Sequence, residues 1–165
     1  MRKNDLIMLG LSLVLFAVLQ ALISTRVLSS FWELNLIVIG INVIMAASLN
    51  LINGYTGQFS LGHAGFLAVG AYTGVVMTSY FHMPFIVALL AGAVLAGILG
   101  FLIGLPTLRL RGDYLAIATL GLGEIIRIVI MNMDYVGGAA GFKGIIHHTN
   151  FAWVFMVMLF TLFFI

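Results

Sequence analysis

Six long runs of apolar residues divide this chain, and they constrain its fold more than any other feature. Residues 6–23, 34–52, 66–81, 85–105, 114–133 and 151–165 carry almost no charge. A helix needs about 20 apolar residues to cross the ~30 Å hydrocarbon core of a bilayer. Only helices and closed barrels satisfy their backbone groups there. The third run is short by this measure, and the sixth reaches the last residue still apolar. Of 165 residues, 63% are hydrophobic and 7% charged, whereas a soluble domain has about 25% charged residues. The reading is an all-α, polytopic membrane helix bundle of about six spans, forming a single transmembrane domain over residues 1–165. A formal net charge of +2 is too small to point to nucleic acid. With no cysteine there is neither a disulfide framework nor a Cys-ligated metal site. The first run follows Arg2 and Lys3, exceeds the 7–15 apolar residues usual in a signal peptide, and is not followed by an A-x-A pattern. It reads as a retained span.

Orientation follows the basic residues of the short loops. With the N-terminus in the cytoplasm, Arg2, Lys3, Arg109 and Arg111 lie inside, and Arg26 and Lys143 outside. Arg109 and Arg111 suit either an anionic lipid surface or a cytosolic partner. Asp113 is placed to cap the helix that follows, because a carboxylate accepts the free N–H groups of a first turn. Small residues mark packing faces. Gly92, Ala96, Gly100 and Gly104 recur every four residues in the fourth run, and Gly70, Gly74 and Thr78 in the third. Such ridges let membrane helices approach closely.

The segment GYTGQFSLGHAGF, residues 54–66, separates the second and third runs with four glycines and no Asp, Glu, Lys or Arg. Backbone without helix is tolerated at membrane depth only when buried in protein or lining a cavity, and transporters place such breaks near their substrate sites. A plain cytoplasmic loop is the alternative. Thr56, Gln58, Ser60 and His63 are the polar groups of the break. Just before it, Asn42, Asn50 and Asn53 fall on or near one face of a helix that also holds Asn35 and Ala46. These seven residues, Asn42, Asn50, Asn53, Thr56, Gln58, Ser60 and His63, are candidates for a substrate path. The asparagines serve equally as interhelical hydrogen-bonding groups, and His63 as a satisfied polar residue.

Glu124 and Arg127 lie inside the fifth run, about 15 Å and more beyond Tyr114 at 1.5 Å per residue. A lone charge at that depth costs at least about 2.5 kcal/mol, so such residues pair and face the bundle interior. Their i,i+3 spacing predicts an ion pair, either structural or lining a substrate route. The later stretch MDYVGGAAGFKGIIHHTN is glycine-rich and lies outside. His147 and His148 have no third ligand nearby in sequence and read as loop residues, not metal ligands.

Taken together, GYTGQFSLGHAGFLAVGAYT, then LRLRGDYLAIATLGLGEIIRI, then GGAAGFKGI resemble the permeases of branched-chain amino-acid ABC importers, the M-type subunit. The resemblance runs from about residue 35 to 146. It implies a prokaryotic plasma-membrane permease with no cofactor of its own. It further implies a second permease subunit, two cytosolic ATPases and an external substrate-binding protein as partners. Permeases for urea and short amides look similar. Val136 stands where the family commonly has Thr, and Ile146 where a Pro often stands. The family's ATPase-docking segment is not found in these residues, so the chain is expected to be a C-terminally truncated piece that does not transport alone. No G-x-x-x-x-G-K-[ST] phosphate loop is present, so the chain is not expected to be an enzyme. A secondary transporter or channel is the remaining alternative, but Glu124 is the one acid that falls inside a span.

Overall fold

The computed structural model describes residues 3–25, 28–143, 145 and 149–165, with the backbone alone given for residues 3–9, 11 and 13. Arg2, Arg26, Ile146, His147 and His148 therefore lie outside the described residues, as does the Lys3 side chain. Among the described residues six α-helices follow one another: α1 (Lys3–Ser24), α2 (Ser30–Asn50), α3 (His63–Ser79), α4 (Phe85–Thr107), α5 (Asp113–Met131) and α6 (Phe151–Phe164). A π-helical turn, Leu51–Tyr55, extends α2, and two 3₁₀ turns, Asp134–Val136 and Gly138–Ala140, follow α5. Among the described residues there is no strand, in line with the all-α membrane bundle read from the sequence.

Among the described residues, three helical segments are long and apolar enough to cross a membrane: Ser30–Tyr55, Phe85–Thr107 and Asp113–Met131. The third run begins its helix earlier than its apolar residues suggest, at His63, and ends at Ser79. Its 17 residues extend about 25 Å at 1.5 Å per residue.

The chain packs as two units. One comprises Met1–Ser48 and Thr149–Ile165. In it, the Phe16 ring of α1 stacks on Phe155 of α6 at 4.8 Å and on Phe151 at 6.1 Å. Gly40 of α2 is buried against Val154, whose Cγ1 lies 2.7 Å from where a Cβ would stand. The absent side chain is what lets α2 and α6 meet.

The other unit, Leu49–His148, holds α3, α4 and α5. Its best-packed seam joins α3 to α4 along the two small-residue ridges. A Cβ on Gly92 would stand 2.6 Å from the Gly70 carbonyl oxygen, and one on Gly74 would stand 3.9 Å from that of Ala88. Ala88 is the most deeply buried of the core residues, at 1% exposure. Backbone meets backbone here, the geometry that small residues permit between membrane helices. The ridge is used unevenly: Gly100 meets the Phe66 ring, whereas Gly104 has open space around it.

Pro106 sits in the last turn of α4, where its missing N–H removes one bond of the ladder, and the Leu108 N–H still donates to Gly104 O at 2.8 Å. The buried Thr107 hydroxyl bonds back to Ile103 O and Gly104 O at 2.9 and 3.2 Å. The chain then turns through Gly112, whose φ of 58° favours a residue without Cβ. Gly112 takes the N-cap position of α5 with no side-chain cap bond. This corrects the capping role expected of Asp113, which is instead the first helical residue. There its carboxylate still faces the positive end of the helix dipole.

Candidate functional site

The break is real and it is built. Beyond the π turn the chain runs without helix over residues 56–62 before α3 begins. The π turn carries the pattern one step further, with Thr56 N–H donating to Leu51 O at 3.3 Å. The Thr56 hydroxyl donates to Ile52 O at 2.6 Å, and the Gln58 N–H to the same carbonyl at 3.3 Å. Asn53 reaches forward, its Oδ1 accepting the Ser60 N–H at 3.1 Å. Gly57 takes a φ of 67° and reverses the chain.

The break is seated on α5. Leu61 N–H donates to Thr119 Oγ1 at 3.0 Å, and the Thr119 hydroxyl donates onward to Ala116 O at 3.0 Å. A Cβ on Gly62 would run into the Thr119 carbonyl, and one on Gly65 would stand 3.0 Å from the Gly123 Cα. Gly62 and Gly65 are buried. Three glycines and one threonine thus let a non-helical backbone lie directly on a helix, with the Ser60 and Leu61 N–H groups partnered by side chains. Those partners matter because an unpaired N–H away from water costs several kcal/mol in hydrocarbon.

The path candidates have unequal settings. Asn53 and Ser60 are brought together by the bond above. Thr56 is spent on its own helix end. Asn50 is exposed, and its Oδ1 would lie 2.6 Å from a Cβ on Gly54, so the glycine makes room for the amide. Gln58 and His63 are half-buried, His63 opening α3. Asn42 belongs to the other packing unit, and its amide donates to Val38 O one turn back at 3.0 Å. Arg109 and Arg111 are exposed in the α4–α5 turn, beside exposed Asp113.

Glu124 and Arg127 form an ion pair: Arg127 Nη2 lies 2.6 Å from Glu124 Oε1, and Nε lies 3.0 Å from both carboxylate oxygens. The pair does not point into the bundle of this chain. The side chains are 50% and 62% exposed, respectively. The cause lies one residue away: Gly123 carries the contact with the break, and the next residue is turned about 100° from it.

Thr119 escapes a reading of sequence, although Thr119 and Gly123 repeat the small-residue spacing found in α3 and α4. A second feature that was not anticipated joins the end of α3 to the loop that follows α5. Tyr80 stacks on Tyr135 at 4.2 Å, meets Phe142 edge-on at 5.7 Å, and donates its hydroxyl to Tyr135 O at 2.9 Å. Between α3, α4 and α5 lies a largely aliphatic cavity of about 490 Å³, with Val69, Leu95, Ile126 and Val129 among its walls.

The family described as the permease component of the branched-chain amino acid transport system matches residues 32–165. The chain is similar to the high-affinity branched-chain amino acid transport system permease protein LivM of Escherichia coli strain K12, with 44% identity over 112 residues. It is similar to the protein of that name from Salmonella typhimurium strain LT2, with 43% identity over 112 residues. Each alignment covers 67% of this chain and 26% of the relative, so the chain spans about a quarter of their length. No solved structure matches it.

Proposed function

Since the chain belongs to the family of branched-chain amino acid transport permease components, we propose that it forms membrane-spanning structure of an ATP-driven importer for branched-chain amino acids. The single observation that carries this reading is the uncharged break seated on α5, with its Ser60 and Leu61 N–H groups partnered by Asn53 and Thr119. Such a segment offers uncharged polar groups to a zwitterionic solute with an apolar side chain. In this reading the chain works in the prokaryotic plasma membrane with a second permease, cytosolic ATPases and an external binding protein. Hydrolysis of ATP falls to the ATPases. The N-terminus and the turn holding Arg109 and Arg111 face the cytoplasm, a placement supported by their basic residues. Asn50, Asn53, Gln58, Ser60 and His63 border the path near the break.

The test is uptake of labelled leucine by cells with the complete transporter, with and without this permease. Uptake is expected to depend on the permease and to be competed by isoleucine and valine, not by urea. Competition by urea or short amides alone would reassign the substrate. Uptake that persists unchanged without the permease would defeat the importer reading.

A further inference from the structure

We propose that the Glu124–Arg127 pair holds the two backbone charges of the transported amino acid, its α-ammonium on the Glu124 carboxylate and its α-carboxylate on the Arg127 guanidinium. The proposal rests on the importer reading above and gives it a site.

The argument starts from where the pair lies. In the 19 residues of α5, Glu124 is the twelfth, close to the middle of a helix about 28 Å long at 1.5 Å per residue. Its side chain is half exposed and that of Arg127 more so. Hydrocarbon is a poor surrounding for such a face, because charges at this depth turn toward protein or a water-filled cavity. One nitrogen of Arg127, Nη1, reaches toward the nearer helix end and donates to Met131 Sδ at 3.6 Å. Helical side chains lean toward the N-terminus, and its Nη2 and Nε turn back to Glu124 with bonds of 2.6 and 3.0 Å. The polar face is therefore held at mid-depth.

The chemistry of that face matches one occupant. An amino-acid zwitterion carries one cation and one anion on adjacent carbons, and the pair offers one of each sign. Arg127 presents a planar fork suited to a carboxylate, and Glu124 accepts from an ammonium. Around them stand Ile117, Leu120 and Ile128, which are 66%, 54% and 49% exposed and provide an apolar surround for a branched side chain. The pair also has a resting state. When the solute leaves, carboxylate and guanidinium close on each other, so neither charge is left bare. A lipid tail on this face would use the aliphatic residues and leave the charges unsolvated, and a partner helix there is the outcome that inert cysteines would reveal.

The experiment uses the complete transporter, with partner cysteines replaced, reconstituted in vesicles with its binding protein. Leu120→Cys and Ile128→Cys are each exposed to a charged, water-borne thiol reagent. Both should react, and saturating leucine should slow the reaction about threefold or more, as occupancy requires. Separately, Glu124→Gln and Arg127→Gln should each lower leucine uptake by about tenfold or more. The double variant, which leaves no charge unpaired, should stay as low. Cysteines that are inert to the reagent, or insensitive to leucine, would place lipid or protein on this face and overturn the proposal, whatever the Gln variants do to assembly. Recovery of uptake in the double variant would overturn it too, by making the pair purely structural. Absence of leucine uptake by the unaltered transporter would reject the importer reading itself, whereas native uptake with inert cysteines rejects only the role of the pair.

Discussion

The two sides of α5 are built on opposite principles. One side has Ala116, Thr119 and Gly123, small residues on which the break lies backbone to backbone. The other has Ile117, Leu120, Glu124, Arg127 and Ile128, large or charged and exposed. The first side is specified by what is missing: a Cβ on Gly123 would stand 3.3 Å from the Gly62 Cα. The second is specified by charge placed where the surrounding medium makes charge costly. Close packing and chemistry are thus separated by a rotation of about 100° around one helix.

The comparison breaks most visibly at Gly62. In Gly62→Ala the new Cβ would run into the Thr119 carbonyl, a main-chain atom that cannot swing aside. The expected loss is about 3 kcal/mol or more, at the upper end of overpacking costs. It would be read as a lower unfolding temperature in detergent and poor recovery of folded protein. A native-like Gly62→Ala protein would mean that the break does not lie on α5. Thr119→Val should cost less, about 1–3 kcal/mol, by leaving the Leu61 N–H without its acceptor. Thr119→Ser should restore most of it, and equal losses in Val and Ser would assign Thr119 to packing alone. Smallest is Gly104→Ala in α4, where nothing stands within 4 Å of the new carbon. Stability should change by less than about 1 kcal/mol, toward the stable side, because alanine is the better helix former. A large loss there, measured in the assembled transporter, would reveal another helix against that part of the ridge.

The same contrast explains what could be read in advance. The helices and the α3–α4 seam were legible because glycines every four residues announce close approach, and Gly70 and Gly92 do meet. The break was legible because glycine without charge suits irregular backbone laid against a helix, although Thr56, Gly57, Phe59 and Leu61 are exposed and only Gly62 of residues 56–62 is buried. Thr119 was hidden: one hydroxyl among Ala, Ile and Leu looks like any tolerated threonine, and its task depends on Leu61, 58 residues away in sequence. For Glu124 and Arg127 the spacing specified the pairing, since i,i+3 is local. The face they occupy was not local information, because it depends on which side of α5 the break uses. Asp113 shows a similar limit. Its carboxylate suited a cap, but the turn required a positive φ and so placed Gly112 there.

The π turn at Leu51–Tyr55 also matters for alignment. An i→i+5 turn holds one residue more than the α-turn that would close the same length of chain. Positions counted at 100° each through Asn35 and Asn42 lose their phase before they reach Asn53, so a helical wheel drawn through this segment assigns its later residues to the wrong face. A relative that lacks one residue here would close an ordinary turn, and everything upstream would be rotated against the break. At this point in the chain, a single-residue gap is therefore a change of geometry, and a deletion carries more meaning than a substitution.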